Sequence, residues 1–311
     1  MASINVTTSK VKRIAGARLR DIRETLMRWL ITANGALAMV IVLLILAFLL
    51  RNGLPVFKSV SPGSFLLGRS WYPLSGEFGI LPLIYSSLLV TGVAVLIALP
   101  LGVACAVYMA EIAPLRVREA LKPTVEALAG IPSIVIGFIG LVVVAPAIQN
   151  WLHLDTGLTA LTGAIMLAFM ALPTIISISE DAIVAVPRDY KNASLALGAT
   201  EWQTISQVLV PAAKSGITAA VMLGIGRAIG ETMAVLMVTG NAVPQNLGIL
   251  GLKTALLAPV RTLTATIAAE MGETVQGSPH FYSLFAIGLT LFAITFVVNL
   301  IADISLRRVK R

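Results

Sequence analysis

The sequence predicts an all-α membrane protein with six transmembrane helices. Of its 311 residues, 57% are apolar and only 12% are charged, whereas soluble domains average about 25% charged residues. The mean hydropathy is +0.91, and apolar runs of about 18 residues or more, long enough to cross a bilayer, recur along the chain. The alternating segments of about ten residues that are typical of a membrane β-barrel are absent. We therefore expect helical spans.

Six apolar segments divide the chain into a short basic tail, residues 1–29, and a six-span domain, residues 30–311. The first apolar run is too long for a signal peptide and no small-residue cleavage site follows it, so we expect an uncleaved span. Gly130, Pro132 and Gly137 are expected to break or thin the third span. The spans are expected near residues 30–50, 83–109, 124–148, 158–178, 215–239 and 283–303.

The basic residues predict the orientation of these spans. Seventeen of the 23 Lys and Arg lie in the tail, in the second and fourth connections or at the C-terminus, and five lie in the other connections. Because positively charged loops stay in the cytoplasm, both termini are expected there, and the seven basic residues of the N-terminal tail are expected to contact anionic membrane lipid. The outer loops are then residues 51–82, 149–157 and 240–282, and a short helix is expected at residues 262–273.

Composition argues against several other classes of function. Membrane topology explains the net charge of +8 better than nucleic-acid binding does, so no nucleic-acid partner is expected. Cys105, the single cysteine, excludes an internal disulfide and is expected to pack inside a span. His153 and His280 have no carboxylate or cysteine at ligand spacing, which argues against a metal site. Residues 248–254 lack the adjacent Gly-Lys of a phosphate-binding loop, so we expect no catalytic residues and no bound cofactor.

Two charged residues stand out in the fifth apolar segment. Arg227 and Glu231 are four residues apart near its centre, where a lone arginine costs about 3 kcal/mol on insertion scales and usually faces a protein interior or a water-filled path. Because residues i and i+4 share one face of a helix, we expect a direct ion pair. A structural salt bridge that pins the helix is the alternative to a functional pair.

The fourth connection, residues 180–214, has the pattern of two short helices separated by a turn. The helices are expected at residues 189–197 and 199–209, closed by Pro211. Gly198 can adopt positive φ at the end of the first helix, and Thr200 can cap the second. Glu180 and Asp181, which precede the two helices, are expected to be solvated, with contact to a partner protein as the alternative. A plain loop helix is the alternative.

The spacing in this connection resembles the E-A-A-x3-G-x9-I-x-L-P loop of ABC importer permeases. Residues 192–194 (NAS) occupy the first three positions, with Asn for Glu and Ser for the second Ala, and residues 208–211 (VLVP) occupy the last four. In that family the loop forms a coupling helix that docks on the ATP-binding subunit. The resemblance implies this role for Asn192, Ala193, Ser194, Gly198 and Pro211.

Three more segments resemble the PstC-type permease subunits of phosphate-uptake ABC transporters. They are residues 73–91 (PLSGEFGILPLIYSSLLVT), 130–141 (GIPSIVIGFIGL) and 226–235 (GRAIGETMAV). The resemblance implies a type I ABC importer fold in a bacterial inner membrane and a subunit that is not an enzyme by itself. The implied partners are a second permease of the PstA type, a dimer of PstB-type ATPases that use the ATP, and a periplasmic phosphate-binding protein of the PstS type.

Within this resemblance, Arg227 and Glu231 are expected to line the phosphate path, because a planar guanidinium can donate two hydrogen bonds to an oxyanion. Glu231 is expected to hold Arg227 when the path is empty and to compete with phosphate when it is occupied. The small residues Gly226 and Gly230 allow close helix approach, either to the partner permease or within this chain.

Two other functions stay open. A permease for another oxyanion, sulfate or molybdate, would share the fold and the coupling loop, although the segment GRAIGETMAV favours phosphate. A proton-coupled secondary transporter in which Glu231 titrates would have no evident need for the loop at residues 192–211.

Overall fold

The computed structural model describes residues 4–244 and 251–309, and the side chains of residues 24–244 and 251–304. It divides into two units, Met1–Asn52 and Gly53–Arg311. The helices are α1 (Ile4–Gly53), α2 (Pro62–Leu67), α3 (Leu81–Val107), α4 (Leu115–Ala129), α5 (Ser133–Ile139), α6 (Ala145–Leu152), α7 (Ala160–Val184), α8 (Arg188–Ala196), α9 (Glu201–Thr204), α10 (Val210–Ala212), α11 (Lys214–Gly230), α12 (Met233–Val238), α13 (Leu252–Leu257), α14 (Leu263–Glu270) and α15 (Pro279–Val309). The strands β1 (Trp71–Tyr72) and β2 (Glu77–Phe78) form one antiparallel hairpin.

The all-α prediction is confirmed. Within the described ranges, five helical segments are long and apolar enough to cross a membrane: Glu24–Lys58, Leu81–Ile112, Ser133–Leu152, Ala160–Val184 and Pro279–Ile304. A sixth is obtained if Glu201–Ala212 and Lys214–Gly230, bent by 69° at their junction, count as one span. Helix α1 continues without interruption through residues 29 and 30, so the expected end of the basic tail is not marked by a change of backbone.

The third expected span, residues 124–148, starts later than predicted. Helix α4 ends at Ala129, and α5 begins at Ser133 after an extended Pro132 with φ −58° and ψ 135°. Proline has no N–H to donate to a preceding turn, so the helix is interrupted there. The interruption at Gly130 and Pro132 is therefore confirmed, whereas Gly137 lies inside α5, where an added Cβ would be 2.8 Å from the Cα atom of Ala234.

The fifth expected span, residues 215–239, is not a continuous helix, so that prediction is wrong. Helix α11 ends at Gly230, Glu231 is extended with φ −69° and ψ 131°, and α12 begins at Met233. The backbone carbonyl of Glu231 accepts a hydrogen bond from Thr264 Oγ1 at 2.9 Å. A side chain from α14 thus satisfies a carbonyl that the helix break leaves without a helical partner.

The core of the second unit is built where α3, α7 and α11 meet. Seven of its 12 buried residues are alanines, and Ile175 of α7 belongs to it. An added Cβ at Gly102 of α3 would lie 2.7 Å from the Cγ2 atom of Ile175, and one at Gly224 of α11 would lie 2.6 Å from its Cγ1 atom. Any larger residue at either glycine would push these helices apart. This close approach fixes α11, the helix that contains Arg227, against α7.

At the β-hairpin end of α3, residues distant in sequence share a second core. Phe65, Trp71 and Leu83 pack with Leu263 of α14 and Leu284 of α15. The short helix expected at residues 262–273 is confirmed as α14.

Glu270, the last residue of α14, joins three of these segments. Its carboxylate accepts hydrogen bonds from Trp71 Nε1 at 3.2 Å and Arg261 Nη1 at 2.5 Å, and it lies 2.8 Å from His280 Nε2. Arg261 also donates from Nε to Asn241 Oδ1 at 2.8 Å. One carboxylate thereby connects the hairpin, the segment before α14 and the start of α15.

Candidate functional site

Arg227 connects three helices, α11, α7 and α4, through its side-chain hydrogen bonds. From α11, its Nη1 donates to Thr174 Oγ1 of α7 at 3.3 Å and its Nη2 donates to the carbonyl of Ala129 at 3.1 Å. Ala129 is the last residue of α4, where carbonyls lack a partner in their own helix. Arg227 is half-buried. Two neutral acceptors on two different helices hold its guanidinium.

Glu231 does not pair with Arg227, and the expected ion pair is wrong: among the side chains that the structure describes, no ion pair joins them. Because α11 stops at Gly230, residues 227 and 231 do not stack on one helix face. The Glu231 Oε1 atom instead accepts from the backbone N–H of Ala234 at 3.2 Å, at the start of α12. Glu231 stays half-buried.

This arrangement can still bind an anion. Guanidinium has five N–H donors, and the hydrogen bonds described for Arg227 use one on each terminal nitrogen. Both acceptors are uncharged, so an oxyanion can displace them without breaking an ion pair, and its negative charge adds a Coulombic attraction that a hydroxyl or a carbonyl lacks.

Gly226 and Gly230 lie on an open face of α11. Both are exposed, and among the described residues no atom lies within 4 Å of a Cβ added at either. The sequence predicts packing of these glycines either on a partner permease or within this chain. The described residues of this chain do not pack against them. The face is available to a second subunit.

The fourth connection forms the predicted pair of helices. Helix α8 ends before Gly198, whose φ of +82° is in the left-handed region. Thr200 Oγ1 accepts from the N–H of Gln203 at 3.2 Å, and Gln203 Oε1 accepts from the N–H of Thr200 at 2.9 Å, which is a complete capping box. A π-helical turn, Ile205–Leu209, precedes Pro211 in α10. The predicted turn and cap are confirmed.

Ser194, one of the two departures from the family pattern at residues 192–194, has a contact of its own. Ser194 Oγ lies 2.9 Å from Thr204 Oγ1, so a hydroxyl pair joins α8 to α9. An alanine at position 194 could not form it. Asn192 and Ala193 are exposed, and Asn192 lines a cavity of about 340 Å³. The exposed side of α8 is therefore available to a partner.

Glu180 was expected to be solvated, and that expectation is wrong. Its side chain is 0% exposed and forms ion pairs with Arg118 and, at 2.7 Å, with Lys122 of α4. Asp181, by contrast, has a side chain that is 63% exposed and lies 2.6 Å from the same Lys122. Hydrogen bonds to Asp181 and then to Glu180 raise the pKa of Lys122 above its ordinary value, because they stabilise the charged ammonium. Packing of α4 on α7 buries Glu180.

A second ion pair anchors α8 itself. Lys191 Nζ lies 2.5 Å from Glu111 Oε2, and the Glu111 side chain is only 12% exposed. Glu111 belongs to a π-helical turn, Tyr108–Ile112, that continues α3. The sequence analysis did not identify this contact, because the two residues are 80 positions apart.

Comparison with known proteins supports the same architecture. Residues 98–311 match the family described as the binding-protein-dependent transport system inner membrane component. A probable ABC transporter permease protein, YqgH of Bacillus subtilis, is 41% identical over 98% of this chain and 97% of its own length. The phosphate transport system permease protein PstC of Mesorhizobium japonicum is 40% identical over 79% of each chain. PstC of Xylella fastidiosa is 33% identical over 95% of this chain and 94% of its own.

Solved ABC transporters share the fold at low sequence identity. A bacterial alginate ABC transporter superposes with a TM-score of 0.61 at 17% identity, covering 91% of this chain and 96% of the other. The inward-facing MetNI methionine ABC transporter superposes with a TM-score of 0.59 at 18% identity, covering 78% and 100%. The chain thus belongs to the binding-protein-dependent transport system inner membrane components, a family of multi-pass inner-membrane permeases.

Proposed function

We propose that this chain is the PstC-type permease subunit of an ATP-driven importer of inorganic phosphate, and that Arg227 lies on the phosphate path. The single observation behind the assignment of the path is the half-buried Arg227 guanidinium, for which the described part of the chain supplies two neutral acceptors, Thr174 Oγ1 and the Ala129 carbonyl. The relatives named phosphate transport system permease protein support the choice of substrate.

The geometry suggests how such a site stays weak enough to release its substrate. A path that binds tightly at its centre would not conduct. Here phosphate competes with a carbonyl and a hydroxyl for Arg227, rather than with the Glu231 carboxylate as expected from the sequence. Glu231 is anchored to the start of α12, where its negative charge disfavours long residence of an anion. High affinity then belongs to a separate PstS-type binding protein outside the membrane.

The remaining subunits follow from the same proposal. The exposed residues Asn192 and Ala193 of α8 face a PstB-type ATPase dimer, and the open face at Gly226 and Gly230 packs on a PstA-type permease. This chain then binds no cofactor, and ATP is used by the ATPase subunits. The distribution of Lys and Arg, 17 of 23 at the termini and at the second and fourth connections, supports cytoplasmic termini and a cytoplasmic α8.

The test measures phosphate uptake and ATP hydrolysis by the reconstituted complex with wild-type chain, Arg227→Gln and Arg227→Lys. We expect Arg227→Gln to abolish uptake while the complex still assembles. Lysine should restore little, because one ammonium cannot reproduce the fork that reaches two acceptors. Arg116→Gln, which removes an exposed arginine on α4, is the matched control and should transport normally.

Two outcomes would contradict the proposal. Normal uptake in Arg227→Gln would remove Arg227 from the path. A wild-type complex that responds to sulfate or molybdate and not to phosphate would keep the permease assignment and overturn the substrate.

A further inference from the structure

Helix α4 presents one charged and apolar face to α7. Arg118, Lys122, Val125 and Ala129 recur at intervals of four, three and four residues, which places them on one side of a helix. Arg118 and Lys122 hold the buried Glu180 carboxylate, and Val125 packs in a cluster with Ile176 of α7. Every turn of this face therefore has a partner on α7 or beside it.

Side-chain contacts join α4 and α7 at both ends of this face. At one end Glu180 binds the two cations of α4. At the other end Arg227 bridges the carbonyl of Ala129 on α4 and the hydroxyl of Thr174 on α7. A displacement of α4 along α7 would disturb the Glu180 ion pairs and the Arg227 hydrogen bonds together. We call this pair of helices, α4 and α7, the clamped pair.

The clamped pair is connected to the coupling helix on both sides. Helix α7 ends at Val184, four residues after Glu180, and α8 begins at Arg188. Lys191 of α8 is paired with Glu111 at the end of α3, and only residues 113–114 separate that π-helical turn from α4. A movement of α8 therefore reaches the clamped pair through the chain and through an ion pair.

We propose that Glu180 is a positioning residue for coupling: by clamping α4 to α7, it transmits displacement of α8 to the Ala129 carbonyl and so to Arg227. This inference rests on the proposed function. Glu180 touches neither substrate nor ATPase in this scheme. Its carboxylate keeps α4 in register with α7, so that ATP-driven movement of α8 changes which acceptors Arg227 can reach.

The test is the number of phosphate ions imported per ATP hydrolysed by the complete reconstituted transporter. In Glu180→Gln we expect this ratio to fall about tenfold or more, since hydrogen bonds to charged groups are among the strongest that a side chain makes, while binding-protein-dependent ATP hydrolysis continues. Asp181→Asn is the matched control: it removes the neighbouring carboxylate on the same Lys122, but from an exposed position, and should leave the ratio unchanged.

A second variant separates the loss of the ion pair from misfolding. Arg118 is 29% exposed, so Arg118→Gln removes one of the two ion pairs of Glu180 from a hydrated position. It should lower the ratio of phosphate to ATP by a smaller factor. Uptake and hydrolysis that fall in parallel in both assembled variants would overturn the inference, because they would indicate a structural role only. Wild-type transport of phosphate is measured in the same preparation, so failure of the proposed function is seen separately.

Discussion

Replacement of Gly198 by alanine tests whether the α8–α9 loop docks on the ATPase. Gly198 has φ +82°, and no atom of the residues that the structure describes lies within 4 Å of an added Cβ, so the cost of alanine there comes from the backbone conformation. A left-handed conformation costs a residue with a Cβ atom about 1–2 kcal/mol. If α8 and α9 dock on the ATPase as one unit, alanine destabilises the turn conformation that docking requires. ATPase binding should then weaken about 5- to 30-fold.

The assay is a titration of ATPase subunits onto the purified permease complex, with apparent affinity as the readout. Gly198→Asn is the informative comparison, because asparagine tolerates positive φ and should bind nearly as well as wild type. Gly92→Ala, an exposed helical glycine of α3 with an equally open Cβ position, controls for glycine replacement in general. Wild-type affinity in Gly198→Ala, or equal losses for alanine and asparagine, would refute the argument.

Three further measurements address other parts of the structure. Thr200→Ala removes the capping box and should destabilise the α8–α9 loop by about 1 kcal/mol, seen as weaker ATPase retention that Thr200→Ser restores. Gly240→Ala should lower the melting temperature of the complex more than Gly92→Ala does, because Gly240 has φ +79° and its added Cβ would lie 2.7 Å from the carbonyl oxygen of Leu158. Because the pKa of Lys122 is raised in the folded chain, its contribution to stability is fully present below the ordinary lysine value of about 10.4 and is lost as pH rises through the higher folded value. The difference in melting temperature between wild type and Lys122→Gln should therefore stay constant from about pH 6 to 9 and shrink only above about pH 10.4; a decline near neutral pH would contradict this.

The α8–α9 loop was predictable because its determinants are local. Gly198 ends one helix and Thr200 caps the next through Gln203, three residues later. Each effect depends on residues within one turn, so the sequence pattern contains the required information.

The geometry at Arg227 was not predictable in the same way. The expected pair assumed a continuous helix, but α11 ends at Gly230, and Thr264 from α14 supports the break. That support comes from 33 residues away. The two poor helix formers at 226 and 230 were the available indication, and the sequence analysis assigned them to packing alone.

Burial of Glu180 likewise depends on tertiary structure. Its partners, Arg118 and Lys122, lie 62 and 58 residues earlier in the chain. A usable clue existed: two cations at i and i+4 form a basic stripe on α4 that requires an acidic partner if that face is covered. The Ser194–Thr204 hydroxyl contact was missed for a simpler reason, since the pattern comparison treated position 194 only as a departure.

The Glu270 carboxylate has a consequence for biogenesis. Trp71, which is 2% exposed, donates its hydrogen bond to Glu270, which is synthesised 199 residues later. His280, the other ring beside this carboxylate, follows ten residues after Glu270. At translation rates of about 5–20 residues per second, the first loop is made about 10–40 seconds before its anchor exists. During that interval the aromatic residues of the hairpin have none of their α14 and α15 neighbours, so this part of the molecule completes its fold only as the last helix is inserted.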